Sequence, residues 1–237
     1  MTKKAWIIFA AVCVIVLSGL VYFSNQNKIN VSDVDTNAIQ KPNAQSGNIG
    51  EHVFGKTDSK VVLVEYGDYQ CPGCGAAYQP IKDVTEKYKD QIAFVFRNFP
   101  LTSLHPNARA AAAAAEAAGL QGKYWEMHNM LYEGQNSWGS LSSNDRTAFF
   151  TDYAKNLGLD TATFTTDLTA DTVGQKINYD IAIGKQIGVN ATPTFYLGGN
   201  KAENINNDQG GIDEDKLGSA IDALLKQNNI PLPTDQK

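Results

Sequence analysis

"KVVLVEYGDYQCPGCGAAYQPIKDVTEKYKDQIAFVFRNF", residues 60–99, decides the fold. It opens with a short apolar, β-branched run ended by Gly67, the pattern of a strand buried on both faces. Ile81, Val84 and Tyr88 then recur at helical spacing, and Pro80 is expected to bend that helix without ending it. "QIAFVFRNF", 91–99, reads as a second buried strand. A strand, a helix and a strand in this order form a right-handed crossover between parallel strands. Cys71 and Cys74 fall at the carboxyl end of the first strand, where open α/β sheets hold their ligand sites.

Downstream, from "LHPNARAAAAAAEAAGL" to "NYDIAIGKQIGVN", about 90 residues carry helical pattern and no strand, an insertion placed at about 102–188. Helix starts are expected at Pro106, at Ser143 or Asn144, and at Thr169 or Asp171, with stops at Gly158 and Gly188. The alanine tract at 110–115 is helix rather than low complexity, since alanine has the highest helix propensity and lets helices approach closely. "TPTFYLGGNKAENI", 192–205, reads as a strand, a Gly198-Gly199 turn and a return strand. Leu217, Ile221, Leu224 and Leu225 give a last helix one apolar face, and the acidic "DEDK" at 213–216 suits its amino end. The order is β-α-β, helices, β-β-α.

At the amino end, "MTKK" precedes "AWIIFAAVCVIVLSGLVYF", residues 5–23, which contains no charge. At 1.5 Å per residue the run spans about 28 Å, close to the hydrocarbon thickness of a bilayer. Lys3 and Lys4 before it, with no basic residue after it until Lys28, predict a cytoplasmic amino terminus and export of the rest. A cleavable signal peptide fits less well, because the one passable site, "VLS" at 16–18, lies inside the apolar run. Cys13 sits mid-run and reads as apolar filler. The expected division is an anchor at 1–23, a flexible polar linker at 24–47, a folded domain at 48–228 and a tail at 229–237.

The composition is globular, 43% hydrophobic and 19% charged, with enough length for one well-buried domain plus an accessory piece. A formal charge of -5 and no aromatic-interleaved basic stripe set aside nucleic acid as a partner. Three cysteines exclude a disulfide-stapled mini-fold.

The pair at 71 and 74 lies on one helix face with Cα atoms about 5 Å apart, inside the disulfide range. Pro72 suits a first helical position, which puts Cys71 at the positive helix end among unpaired N–H groups that favour a thiolate. A zinc site lacks its second half, since there is no further C-x-x-C and the histidines at 52, 105 and 128 are scattered. Gly75 excludes the haem-attachment pattern. A disulfide across so short a loop stabilises little, which leaves a redox role.

Together, "VEYGDYQCPGC", "FRNFPLTSLHPNARAAAAAAEAA" and "GVNATPTFYLGG" resemble the DsbA-type thiol-disulfide oxidoreductases, above all the membrane-anchored extracytoplasmic forms, over about residues 48–228. The resemblance implies an α/β thioredoxin-like fold with an inserted α-helical domain, here preceded by a single transmembrane helix. It makes Cys71 the exposed nucleophile and Cys74 its buried partner, and it makes Thr192-Pro193 a cis-proline loop that receives extended substrate. Glu65 matches a buried acid that moves a proton to or from the inner cysteine, and a carboxylate inside an apolar strand has the raised pKa this needs. Pro72 and Gly73 tune the pair; glycine where the strongest oxidants carry histidine predicts a weaker oxidant that still stands above thioredoxin. The implied activity is disulfide donation to exported proteins by a monomer in the cell membrane, without bound cofactor or metal, reoxidised by a membrane quinone-linked protein. A reductase or isomerase using the same pair, and a tethered chaperone or binding module, are the rivals. His105 is expected to act locally at a helix start, and Tyr124, Trp125 and His128 as packing. No calcium-type oxygen spacing occurs.

Overall fold

The computed structural model describes residues 2–26 and 29–234, without the side chains of 20–26. Contacts divide the chain into two units, 1–30 and 31–237. The first holds one helix, α1 (Lys3–Gln26), on which Ile7, Ile8, Val14, Ile15 and Leu17 are exposed. Among the described residues no helix is long and apolar enough to cross a membrane. The end of the stretch expected to cross, from Leu20 to Phe23, lies outside the described side chains.

The second unit is built on a five-stranded sheet: β1 (Val53–Gly55), β2 (Val62–Gly67), β3 (Ala93–Asn98), β4 (Thr194–Leu197) and β5 (Asn200–Lys201), ordered β1-β3-β2-β4-β5. β2 and β3 are parallel and joined by α2 (Pro72–Lys87), which runs through Pro80, and every residue of both strands is buried. Their uninterrupted apolar sequence thus reflects a sheet covered on both faces. The register puts Leu63 and Glu65 beside Phe94 and Phe96 on one side and Leu197 and Phe195 on the other, one continuous face. That face packs against α2 and the last helix, α9 (Glu214–Gln227), whose Leu217, Ile221 and Leu225 are fully buried. Asp213 caps α9 by accepting from the Lys216 N–H.

Between β3 and β4 lie six helices and no strand: α3 (Ala108–Leu120), α4 (Tyr124–Glu133), α5 (Gln135–Trp138), α6 (Ser143–Asn156), α7 (Thr161–Asp167) and α8 (Asp171–Gln186). The alanines of α3 are almost wholly buried, because a helix surfaced with methyl groups lets its neighbours come close. Gly158 and Gly188 end α6 and α8 with positive φ, and Gly198 and Gly199 both take positive φ in the β4–β5 turn, which excludes a Cβ at little cost only for glycine.

Two features depart from the sequence reading. β1, antiparallel to β3, was not expected, and the flexible linker at 24–47 is not a linker over most of its length. From Val31 onward the segment belongs to the folded unit, with Val31, Ser46 and Ile49 buried and Asn43 closing a capping box on a short 3-10 turn. The cause is Arg97 on β3. It is fully buried, donates to the Thr36 and Ala38 carbonyls and the Tyr66 hydroxyl, and pairs with the Glu51 carboxylate. A buried guanidinium needs its donors filled, and the polar segment supplies the acceptors.

A second polar cluster ties the inserted helices to the sheet. Glu116 of α3 bonds His52 (2.9 Å) and Asn98 (2.7 Å); Asp180 of α8 accepts from the Asn98 backbone and side chain (3.1 Å each) and from Lys176 (2.6 Å).

Candidate active site

β2 stops at Gly67, and Asp68 to Cys71 form the turn into α2. The Cys71 N–H donates to the Asp68 carbonyl (3.0 Å), and the Gly75 N–H to the Cys71 carbonyl (3.0 Å), so Cys71 is the N-cap and Pro72 the first helical residue. Cys71 offers no capping acceptor to the helix; the helix offers donors to Cys71 instead. Hydrogen bonding by the Cys74 thiol, with Thr192 and the N–H groups of Cys74 and Gly73, outweighs burial and lowers the Cys71 pKa to about 5. Its exposure is 8%, less than an open nucleophile suggests, since the Thr192-Pro193 loop lies against it: Sγ is 3.4 Å from the Thr192 carbonyl oxygen, and the Thr192-Pro193 bond is cis.

Cys74 has no exposure. Burial, then the bond to Cys71 and the charge of Glu65, push its pKa well above the ordinary thiol value, opposed by the Asp68 N–H that donates to its Sγ at 3.5 Å. Glu65 lies on the same sheet face, among Leu63, Phe94 and Phe96. Its carboxyl has no hydrogen-bond partner among the described residues. Burial first, and the Cys71 charge second, raise its pKa to about 8. It borders a cavity of about 40 Å³ whose lining includes Tyr78, Lys82, Trp125, His128 and Tyr132. That volume admits water, and the indole N–H of Trp125 and the hydroxyl of Tyr132 are buried there without protein partners.

Cys71, Cys74, Glu65, Pro72, Gly73, Thr192 and Pro193 therefore come together, and of the histidines His128 lines the cavity beside Glu65 and His105 bonds Asp68 of the motif turn. His128 is buried and held neutral, its pKa pushed down to about 3 by burial and then by Lys82. Tyr124 and Trp125 pack around it. Gly73 leaves space: a Cβ there falls 3.4 Å from Pro193 Cδ and 3.7 Å from Cys71 Sγ, ordinary contacts. Gly73 and Pro193 open onto a groove of about 710 Å³ floored by Ala77, Phe195 and Ile212 and edged by Lys201, Glu203 and Asn207.

Three residues at the site add to the sequence reading: two escaped it, and the third, His105, was expected only to act locally at a helix start. Gln135 of α5 donates to the carbonyls of Tyr69 (2.8 Å) and Cys71 (2.9 Å), clamping the turn from the inserted helices. Only glycine at 75 lets it in, because a Cβ there falls 2.5 Å from Gln135 Oε1. Asp68 and His105 are the other two, bonded at 2.8 Å. For Gln135 no signal exists in the local pattern; for Asp68 it was the acid three residues before the first cysteine.

A family model described as "Thioredoxin" matches residues 47–223, about three quarters of the chain. The chain belongs to the thioredoxin family. Within it the chain is of the DsbA type. It is 26% identical to the thiol-disulfide exchange protein alpha-DsbA2 from Wolbachia pipientis, covering 73% of this chain and 87% of that one at a TM-score of 0.61. A thioredoxin-like oxidoreductase from Silicibacter pomeroyi DSS-3 is 27% identical over 74% of this chain and 92% of its own, with a TM-score of 0.60. BdbD from Bacillus subtilis shares the fold, at 24% identity, 80% and 98% coverage and a TM-score of 0.64. Curated relatives of this thioredoxin-family chain include Na(+)/H(+) antiporter NhaA 1 of Salinispora arenicola, 38% identical over 151 residues, 64% of this chain and 22% of that protein. The chain spans less than a quarter of the length of that relative.

Proposed function

We propose that the protein donates disulfides to exported proteins through the Cys71-Pro72-Gly73-Cys74 pair. The observation that carries this reading is the contrast between the two thiols: Cys71 is a stabilised thiolate at a helix amino end, and Cys74 is a buried thiol beside an acid of pKa about 8. In the disulfide form a substrate thiolate attacks Cys71 Sγ. A substrate–Cys71 bond forms, the Cys71–Cys74 bond breaks, and its electron pair goes to Cys74 Sγ, which takes a proton from Glu65. A second substrate thiolate then attacks the substrate sulfur, forming the substrate disulfide and expelling Cys71 as a thiolate. The helix end makes that departure easy, because a low-pKa thiol leaves quickly. Pro193 borders the groove, and with Thr192 before it offers the incoming segment a backbone edge.

In this reading α1 is a signal anchor that keeps the catalytic domain on the extracytoplasmic side, supported by the exposed side chains of Ile7, Ile8, Val14, Ile15 and Leu17 and by Lys3 and Lys4. The dithiol is returned to the disulfide by a membrane quinone-linked protein, and the enzyme works as a monomer. Replacing Cys74 with serine tests the transfer step. The Cys74→Ser chain should accumulate mixed disulfides with exported proteins through Cys71, visible on non-reducing gels and absent from Cys71→Ala; absence of any adduct in Cys74→Ser contradicts transfer by this pair.

A further inference from the structure

Asp68 stands at the centre of the motif turn, and nothing in the transfer scheme above uses its side chain. Its carboxylate is fully buried and accepts three hydrogen bonds, each at 2.8 Å: from the Gln70 N–H, from the Leu101 N–H and from His105 Nδ1. Its backbone faces the other way, with the N–H on Cys74 Sγ and the carbonyl on the Cys71 N–H. One residue thus joins both cysteines to the loop that leads into α3. His105 is half-buried, its side chain 17% exposed.

We propose that His105 is a positioning residue for disulfide exchange: through Asp68 it holds the N–H that receives negative charge on Cys74 Sγ when that sulfur leaves. The inference rests on the reading that Cys71 and Cys74 are the working pair. Buried carboxylates keep their place by filled hydrogen bonds. Removing the imidazole takes the one side-chain donor from Asp68, and the turn keeps its backbone donors alone. With the imidazole gone, the Asp68 N–H is held less firmly against Cys74 Sγ, and exchange slows.

The test is the rate at which dithiothreitol reduces the oxidised pair in the full chain. His105→Ala should be slower by about tenfold, the scale of one hydrogen bond to a charged group. His105→Gln keeps a donor to Asp68 and should recover most of the wild-type rate. A wild-type rate in His105→Ala, or a loss in His105→Gln as large as in His105→Ala, overturns the role of His105 and leaves the pair's function standing. Failure of the wild-type pair to form a reducible disulfide overturns the functional reading, and this inference with it.

Discussion

Glu65 and Glu116 are both carboxylates shut inside the same domain, and their surroundings push them in opposite directions. Around Glu116, burial alone raises the pKa, but Lys176, His52 and Asn98 outweigh it and hold the group below the usual carboxylate range. Around Glu65 nothing answers burial, and the Cys71 charge adds to it. Burial without partners makes a proton carrier near neutral pH; burial with partners makes a fixed charge that locks two layers together. The difference separates the surroundings of the cysteine pair from the polar cluster that ties the inserted helices to the sheet.

Breaking the paired cluster should cost the most. Lys176→Met leaves Asp180 and Glu116 as two buried carboxylates without their cation, so urea unfolding at pH 7 should show a loss of about 3–5 kcal/mol. The thiolate absorbance of Cys71 should titrate as before in the surviving folded protein. A loss below about 1 kcal/mol would mean that the cluster does not carry its charges as described.

The unpaired acid should respond in the opposite way. Glu65 keeps its proton in the fold up to about pH 8 but loses it in the unfolded chain near 4.5, so its contribution to stability falls as pH rises between those values. Cys71 works against this in the dithiol form: its pKa is lowered from 9.0 to about 5, so its contribution grows over about pH 5–9. The disulfide form has no thiolate, so the difference between oxidised wild type and oxidised Glu65→Gln isolates the Glu65 effect. In urea titrations oxidised wild type should therefore lose stability relative to oxidised Glu65→Gln as pH rises above about 5. The same variant should transfer disulfides about 100 times more slowly, the lower end of general acid catalysis. Equal pH–stability curves for the two oxidised proteins would remove Glu65 from the proton step.

The same contrast explains what the sequence made legible. β2, β3, the motif helix and the inserted helices announce themselves through local periodicity, and Cys71, Cys74 and Glu65 sit at fixed offsets within one such stretch. The docked segment from Val31 to Glu51 does not. Its polar composition resembles that of a tether, and what orders it is Arg97, about sixty positions away. The signal was nonetheless present in "FVFRNF": an arginine inside a doubly buried strand must find acceptors from somewhere. β1 is three residues long and carries no alternation to read. His105 was legible as the start of a helix but not as a partner of Asp68, because nothing local says that the loop after β3 folds back onto the turn after β2.

The central claim is that this pair gives disulfides away, and the equilibrium reduction potential of Cys71–Cys74 in the intact chain, poised against glutathione, tests it most directly. Thiolate stabilisation of Cys71 favours the reduced form and predicts a value at or above about -180 mV. A value near about -270 mV, the range of thioredoxin itself, would contradict donation and mark the pair as a reductant.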